Sequence, residues 1–175
     1  MKATGIVRRI DELGRVVIPK EIRRTQHIRV GDALEIFVTA EGEVVFKKYS
    51  MALGSSDIAE DLCEALYKSA SISVLVADRD SVIAAAGAAK SLVGSPVSDK
   101  LSDIIEARRC FTAKDNNSAV TACDGKEVKI SAAAPILCQS DLAGCVALVY
   151  NDSTPTTQET QFLTTSAAFL ARRFD

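Results

Sequence analysis

Apolar and polar positions follow two different rhythms along this chain. In the first fifty residues they favour short β-like runs. Residues 5–10 form a β-rich stretch closed by Asp11, Glu12, Leu13 and Gly14, where Gly14 can supply a positive φ. Residues 15–18 read as a second strand, which Pro19 stops, and Pro19 also suits the first turn of a helix through residues 20–24. Gly31-Asp32 makes a turn, and residues 33–38 then alternate apolar and polar. Residues 40–42 connect tightly into 44–48, which predicts a hairpin with a glycine-containing turn. After residue 50 the rhythm changes. Residues 50–56 read as a linker. Asp57 and Glu60 then have the spacing of a helix cap and its reciprocal partner. Ile58, Leu62, Ala65, Leu66 and Ser69 mark the inward face of a helix over 57–70. Strand-like runs follow at 73–77 and 82–85. Ser98 can cap a helix presenting Leu101, Ile104 and Ile105, and 128–137 and 142–150 read as two further strands. At the end Leu163, Ala167, Leu170 and Phe174 keep helical spacing, with Phe162 and Phe169 beside them.

This pattern divides the chain into a domain at 1–50, a linker at 51–56 and a domain at 57–175. Fifty residues with about four short strands bury too little surface to stand alone. The first domain is therefore expected to share its core with a second copy. The second domain, with helices at both ends and strands between, reads as α/β or α+β.

Composition narrows the function. The chain is 47% hydrophobic and 25% charged, as expected of a globular protein. The apolar run 132–138 is far too short to span a bilayer, and the first residues lead into no apolar signal region. Both point to a cytoplasmic protein with no membrane partner. Five cysteines without a Cys-x-x-Cys pair, and His27 as the one histidine, encode neither a disulfide framework nor a metal site. The cysteines read as reduced and partly buried. No phosphate loop, nucleophile elbow or catalytic histidine is present, so neither a cofactor nor an enzymatic activity is expected.

The net charge of −2 conceals an asymmetry. Residues 1–50 carry ten Lys/Arg against seven Asp/Glu, whereas 51–175 carry eleven against sixteen. Within 1–29 there are eight basic residues and three acidic ones. A basic end facing a polyanion, joined to an acidic remainder, fits this division.

Residues 2–19, with Glu21 to Arg24, Gly31 to Ile36 and Lys47-Lys48-Tyr49, closely resemble the AbrB-type swapped-hairpin DNA-binding domain without a gap over 1–50. The resemblance implies that two chains interleave their hairpins into one small β-barrel that binds double-stranded DNA. It also implies that Arg8, Arg15, Arg23 and Arg24 occupy the DNA-contacting positions, with Arg9 at a neighbouring basic one. Guanidinium groups suit the task, because they stay charged and fork onto phosphate or guanine. On a regular strand Arg8 and Arg9 point to opposite faces. The competing reading for these arginines is a solvated surface with ion pairs to Asp11, Glu12 or Glu21. Lys2 and Thr4 could add phosphate contacts. Lys47 and Lys48 read as solubilising the last strand, and His27 as a surface or helix-end residue.

Residues 73–80, Ala134-Pro135-Ile136, 144–148 and 168–172 resemble a GAF-type domain of the kind appended in the stage V sporulation protein T family. No ligand-selecting signature is visible in it, and the alanine-rich stretch 84–89 fits either close packing or a pocket wall. Together these likenesses imply a DNA-binding transcription regulator of sporulation genes, activating, repressing or both. It would be a dimer through its first domain and a tetramer through its second, with a small-molecule effector left open. The alternative is an antitoxin-like interaction module whose second domain captures a protein partner.

Overall fold

The fold is that of a computed structural model, which describes residues 4–50, 54 and 56–174. Most of the expected linker, and Lys2 among the expected DNA contacts, lie outside these residues. The chain divides into two compact units, residues 1–49 and 50–175.

In the first unit α1 (Lys20–Thr25) is followed by β1 (Leu34–Val38) and β2 (Val44–Lys48). The two strands pair antiparallel, Ile36 opposite Phe46, and close through Gly42 at φ +82°. This is the expected hairpin. Pro19 stands at the N-cap of α1, just ahead of the first turn where the sequence suggested it. Residues 5–10 and 15–18, expected as strands, form no ladder within the chain. Their arms meet only at the turn, where the Asp11 amide donates to the Arg15 carbonyl (3.0 Å). Among the described residues neither segment pairs with β1, with β2 or with the other, and an extended segment without a neighbour is not a strand.

The second unit is a six-stranded antiparallel sheet between helices. It runs through α2 (Ser56–Ala70), β3 (Val74–Ala77), β4 (Val82–Ala86), a 3-10 helix (Gly87–Leu92) and α3 (Asp99–Glu106). There follow β5 (Phe111–Thr112), β6 (Val120–Thr121), β7 (Lys129–Cys138), β8 (Asp141–Val149) and α4 (Thr157–Ala171). The strand order is β4-β3-β8-β7-β5, with β6 also on β7. Every pairing is antiparallel, which settles the class as α+β.

Alternation along the strands supplies a core on each face of the sheet. Val74, Val76, Ala134, Ile136, Val146 and Leu148 face α2 and α4, where Ala59, Cys63, Leu163, Ala167 and Leu170 meet them. Leu75, Ala77, Ala133, Cys145 and Ala147 face the other way, against Leu101 and Ile105 of α3. An irregularity between Ile130 and Ala132 turns these two residues to opposite faces although they are two apart. The alanines of β4 resolve as packing: Ala84 and Ala86 lie in one core and Ala85 in the other.

The helices differ in detail from their sequence patterns. α2 buries Ala59 and Cys63, with Ile58, Leu62 and Leu66 partly buried beside them. Ala65 and Ser69, expected inward, are exposed. Small side chains at 59 and 63 let the helix lie close on the sheet, which rotates the buried face. The helix also begins at Ser56, so Asp57 lies in its first turn instead of capping it. Ser98 caps α3 as expected, accepting from the Leu101 amide (3.1 Å) and donating to the Thr121 carbonyl (2.6 Å). α4 opens with a capping box in which Thr156 accepts from the Glu159 amide and Glu159 accepts from the Thr156 amide (2.8 Å).

Candidate nucleic-acid interface

The arginines expected at the DNA sit on three local frames. The first is the turn at Asp11. Asp11 Oδ1 accepts from the Leu13 amide (3.0 Å) and the Arg15 amide (2.8 Å), and its Oδ2 accepts from Arg15 Nε (2.8 Å). The Gly14 amide donates to the Asp11 carbonyl (2.9 Å), with Gly14 at φ +75°. A side chain at position 14 would be strained there, so glycine makes this tight return possible. The hydrogen bonds from the Arg15 amide, and then from its guanidinium, hold the Asp11 carboxyl below its ordinary pKa. Both side chains remain solvent-facing, Arg15 at 70% exposure. The pair therefore adds little to stability; what it fixes is geometry.

The second frame is the extended segment ahead of that turn. Thr4, Arg8 and Arg9 lie on it and all three are exposed. The Thr4 hydroxyl accepts from the Ile6 amide (3.4 Å), a local contact that leaves the side chain at the surface. The third frame is α1, where Arg23 and Arg24 fall in the last turn. Arg24 is exposed. Arg23 is half-buried, and its Nε is enclosed without a hydrogen-bond partner among the described residues. Lys20, at the start of the same helix, is an exposed cation that sequence reasoning left out; its place beside Pro19 was the available signal.

Ion pairing separates these residues. Arg15 pairs with Asp11, as the solvated-surface reading anticipated. Among the described residues no carboxylate pairs with Arg8, Arg9, Arg23 or Arg24. Lys48 corrects its expectation. It is half-buried, with Nζ 3.2 Å from Asp32 Oδ2 and donating to the His27 carbonyl (2.9 Å), so it ties the end of β2 to the turn after α1. Lys47 lies over the Phe37 ring (4.8 Å to the centroid). His27 stands at the helix end with φ +51°.

Around these cations the unit is strongly apolar and almost unburied. Val7, Val17 and Val38 are 84%, 72% and 72% exposed, and Ile10, Leu13, Ile36, Val44 and Phe46 are exposed as well. Of the described residues up to Tyr49, Pro19 is the one that is buried.

In the second unit no comparable frame appears among the described residues. Asp78 is buried, accepting from the Asp80 and Ser81 amides (2.8 and 2.7 Å) and from the Ser50 hydroxyl (3.1 Å), which makes it the anchor of a turn. Arg79 pairs with Glu106 (3.0 Å), and Arg108 donates to the Ser140 carbonyl (2.7 Å). No group of His, Cys, Asp or Glu among the described residues could hold a metal ion. No helix among them is long and apolar enough to cross a membrane.

Residues 55–175 match the family described as "Stage V sporulation protein T C-terminal, transcription factor". Over its whole length the chain is 43% identical to stage V sporulation protein T of Bacillus subtilis (strain 168), covering 99% of that protein. The chain belongs to the stage V sporulation protein T family. The N-terminal part has likenesses of its own. Residues 7–52 match the family described as "Antidote-toxin recognition MazE, bacterial antitoxin". A stretch of 49 residues is 63% identical to the transition state regulatory protein AbrB of the same bacterium, spanning half of that protein. The second unit has the fold of the GAF domain from a phosphoenolpyruvate-protein phosphotransferase of Coxiella burnetii. That likeness has a TM-score of 0.52 at 15% identity, and covers 67% of this chain and 80% of that one. The AbrB-type and GAF-type readings of the two halves agree with these matches.

Proposed function

We propose that this member of the stage V sporulation protein T family is a sequence-preferring DNA-binding regulator of sporulation genes. In it the first unit contacts duplex DNA and the second unit joins chains. The observation that carries the reading is the disposition of Arg8, Arg9, Arg15, Arg23 and Arg24. They are cations crowded into seventeen residues, all but Arg23 exposed and all but Arg15 without a carboxylate partner among the described residues, in a chain of a transcription-factor family. Phosphate neutralisation by such groups gives most of the affinity, and a forked guanidinium can also read a guanine edge. Thr4 and Lys2 are further candidates for phosphate contacts. The protein works in the cytoplasm, on the nucleoid.

The exposed valines, leucines and isoleucines of the first unit support a shared core with a second copy. Residues 5–10 and 15–18 find their strand partners in that copy. The second unit, through α2 and α4, pairs such dimers into a tetramer. A small-molecule effector would act through the second unit.

The match of residues 7–52 to an antitoxin family favours a second reading, in which the chain captures a protein partner. The folded sheet and helices of residues 56–174 weigh against it, because antitoxins of related fold usually end in a disordered acidic tail.

The test is footprinting of the full-length protein on its host's DNA, with and without cell extract. Discrete protected sites are expected. Uniform or absent protection under both conditions would overturn the reading.

A further inference from the structure

We infer that Asp11 is a positioning residue for DNA recognition: its carboxylate presents the Arg15 guanidinium with its outer edge free to take a phosphate or a guanine. The inference rests on the DNA-binding reading above.

Two parts of one carboxylate do two separate things. Oδ1 closes the turn by accepting from the Leu13 and Arg15 amides, which fixes the backbone from which Arg15 departs. Oδ2 accepts from Arg15 Nε at 2.8 Å, which restrains the side chain itself. A guanidinium has donors to spare: with Nε engaged, the edge formed by its two terminal nitrogens remains open. Arg15 is largely exposed, so that edge faces solvent. A free arginine loses much rotamer entropy on binding, and here the loss is met before the DNA arrives. The backbone bonds alone would shape the turn without any contact to Nε. The added Nε contact is what separates positioning of the side chain from ordinary turn closure.

Charge makes the inference testable by sign. Asp11 is an acidic group inside the most basic segment of the chain. If it acted only through its charge, removing it should strengthen attraction to a polyanion. If it positions Arg15, removing the charge should weaken binding.

The experiment uses the full-length chain and two probes: a duplex selected by the wild-type protein from a random library, and a random duplex of the same length. Affinities are measured at several salt concentrations for Asp11→Asn, Arg15→Ala and the double variant. The asparagine keeps an oxygen for the two turn amides and loses the anionic partner of Nε. The expected result is a loss on the selected duplex of about 2- to 10-fold per arginine for Asp11→Asn, compounded in a dimer. It should vanish when Arg15 is already alanine. If Asp11→Asn fails to fold by circular dichroism, Asp11→Ser keeps one acceptor for the turn and takes its place. Wild-type or tighter binding by Asp11→Asn, with Arg15→Ala weakened, would overturn the inference and leave the DNA-binding reading standing. Additive losses in the double variant would overturn it too, because the two residues would then act apart. Unchanged binding by Arg15→Ala would remove Arg15 from the interface, and the inference with it.

Discussion

Arg15 and Arg23 carry the same charge in different physical situations. Arg15 is held by a carboxylate, whereas Arg23 leans on α1 with an enclosed Nε that nothing in the described chain accepts from. Neither supports the core, so alanine at 8, 15, 23 or 24 should lower DNA affinity and leave circular dichroism and melting unchanged. A lost phosphate contact should reduce the salt slope by about 1, and a lost base contact should cost roughly 1–3 kcal/mol on the preferred site alone. A variant that melts early would show the arginine to be structural. The exposure of Arg8, Arg9, Arg15 and Arg24 was legible in the sequence, because a guanidinium without a buried partner stays in water. Asp11 was among the carboxylates that the sequence offered to Arg15, and it is the one that pairs. The Asp32 partner of Lys48 was not legible, because it depends on where a turn brings a distant carboxylate. The cysteines add a separate check. Burial pushes the Cys63 and Cys145 thiols up to about 12, while Cys110 is exposed. Near pH 8 Cys110 should alkylate in the native protein, and Cys63 and Cys145 only after unfolding. Equal labelling of all three would contradict the packing described.

Elements were legible where one face is buried and less so where two are. β3, β7 and β8 are covered on both sides, so they read as apolar runs whose ends the sequence marks well and whose facing it does not. β5 and β6, with two residues each, are too short to carry any period. On α2 the bulky Ile58, Leu62 and Leu66 do pack on the core, while Ala59 and Cys63, small enough to lie closest to the sheet, were missed in favour of Ala65 and Ser69. The capping box of α4 lay open in Thr156 to Glu159 and should matter: Thr156→Ala should cost about 1 kcal/mol in urea unfolding, and no shift in midpoint would show the cap to be idle. Gly144 is a sharper case. A Cβ there would collide with the Ala77 carbonyl oxygen where β8 lies against β3. Gly144→Ala should therefore destabilise by roughly 1–3 kcal/mol, and a neutral result would mean that the strands can separate at little cost.

At the scale of the molecule the two units differ in kind. Residues 50–175 have cores on both faces of a sheet, while the first unit leaves most of its valines and half of its isoleucines exposed. The chain divides into two compact units at residue 50, and the β-rich stretches at 5–10 and 15–18 form no ladder among the described residues. Charge divides the work as well. Basic residues outnumber acidic ones in residues 1–50, and residues 51–175 carry a net −5 that disfavours approach to phosphate. The central claim, that the arginine surface of the first unit binds DNA, is tested most directly by titrating the full-length protein and an Arg15→Ala, Arg23→Ala double variant. Both are run on the wild-type-selected duplex over a range of salt concentrations. The account predicts a folded variant with a large loss of affinity and a shallower salt slope. Wild-type affinity and slope in a folded double variant would contradict it.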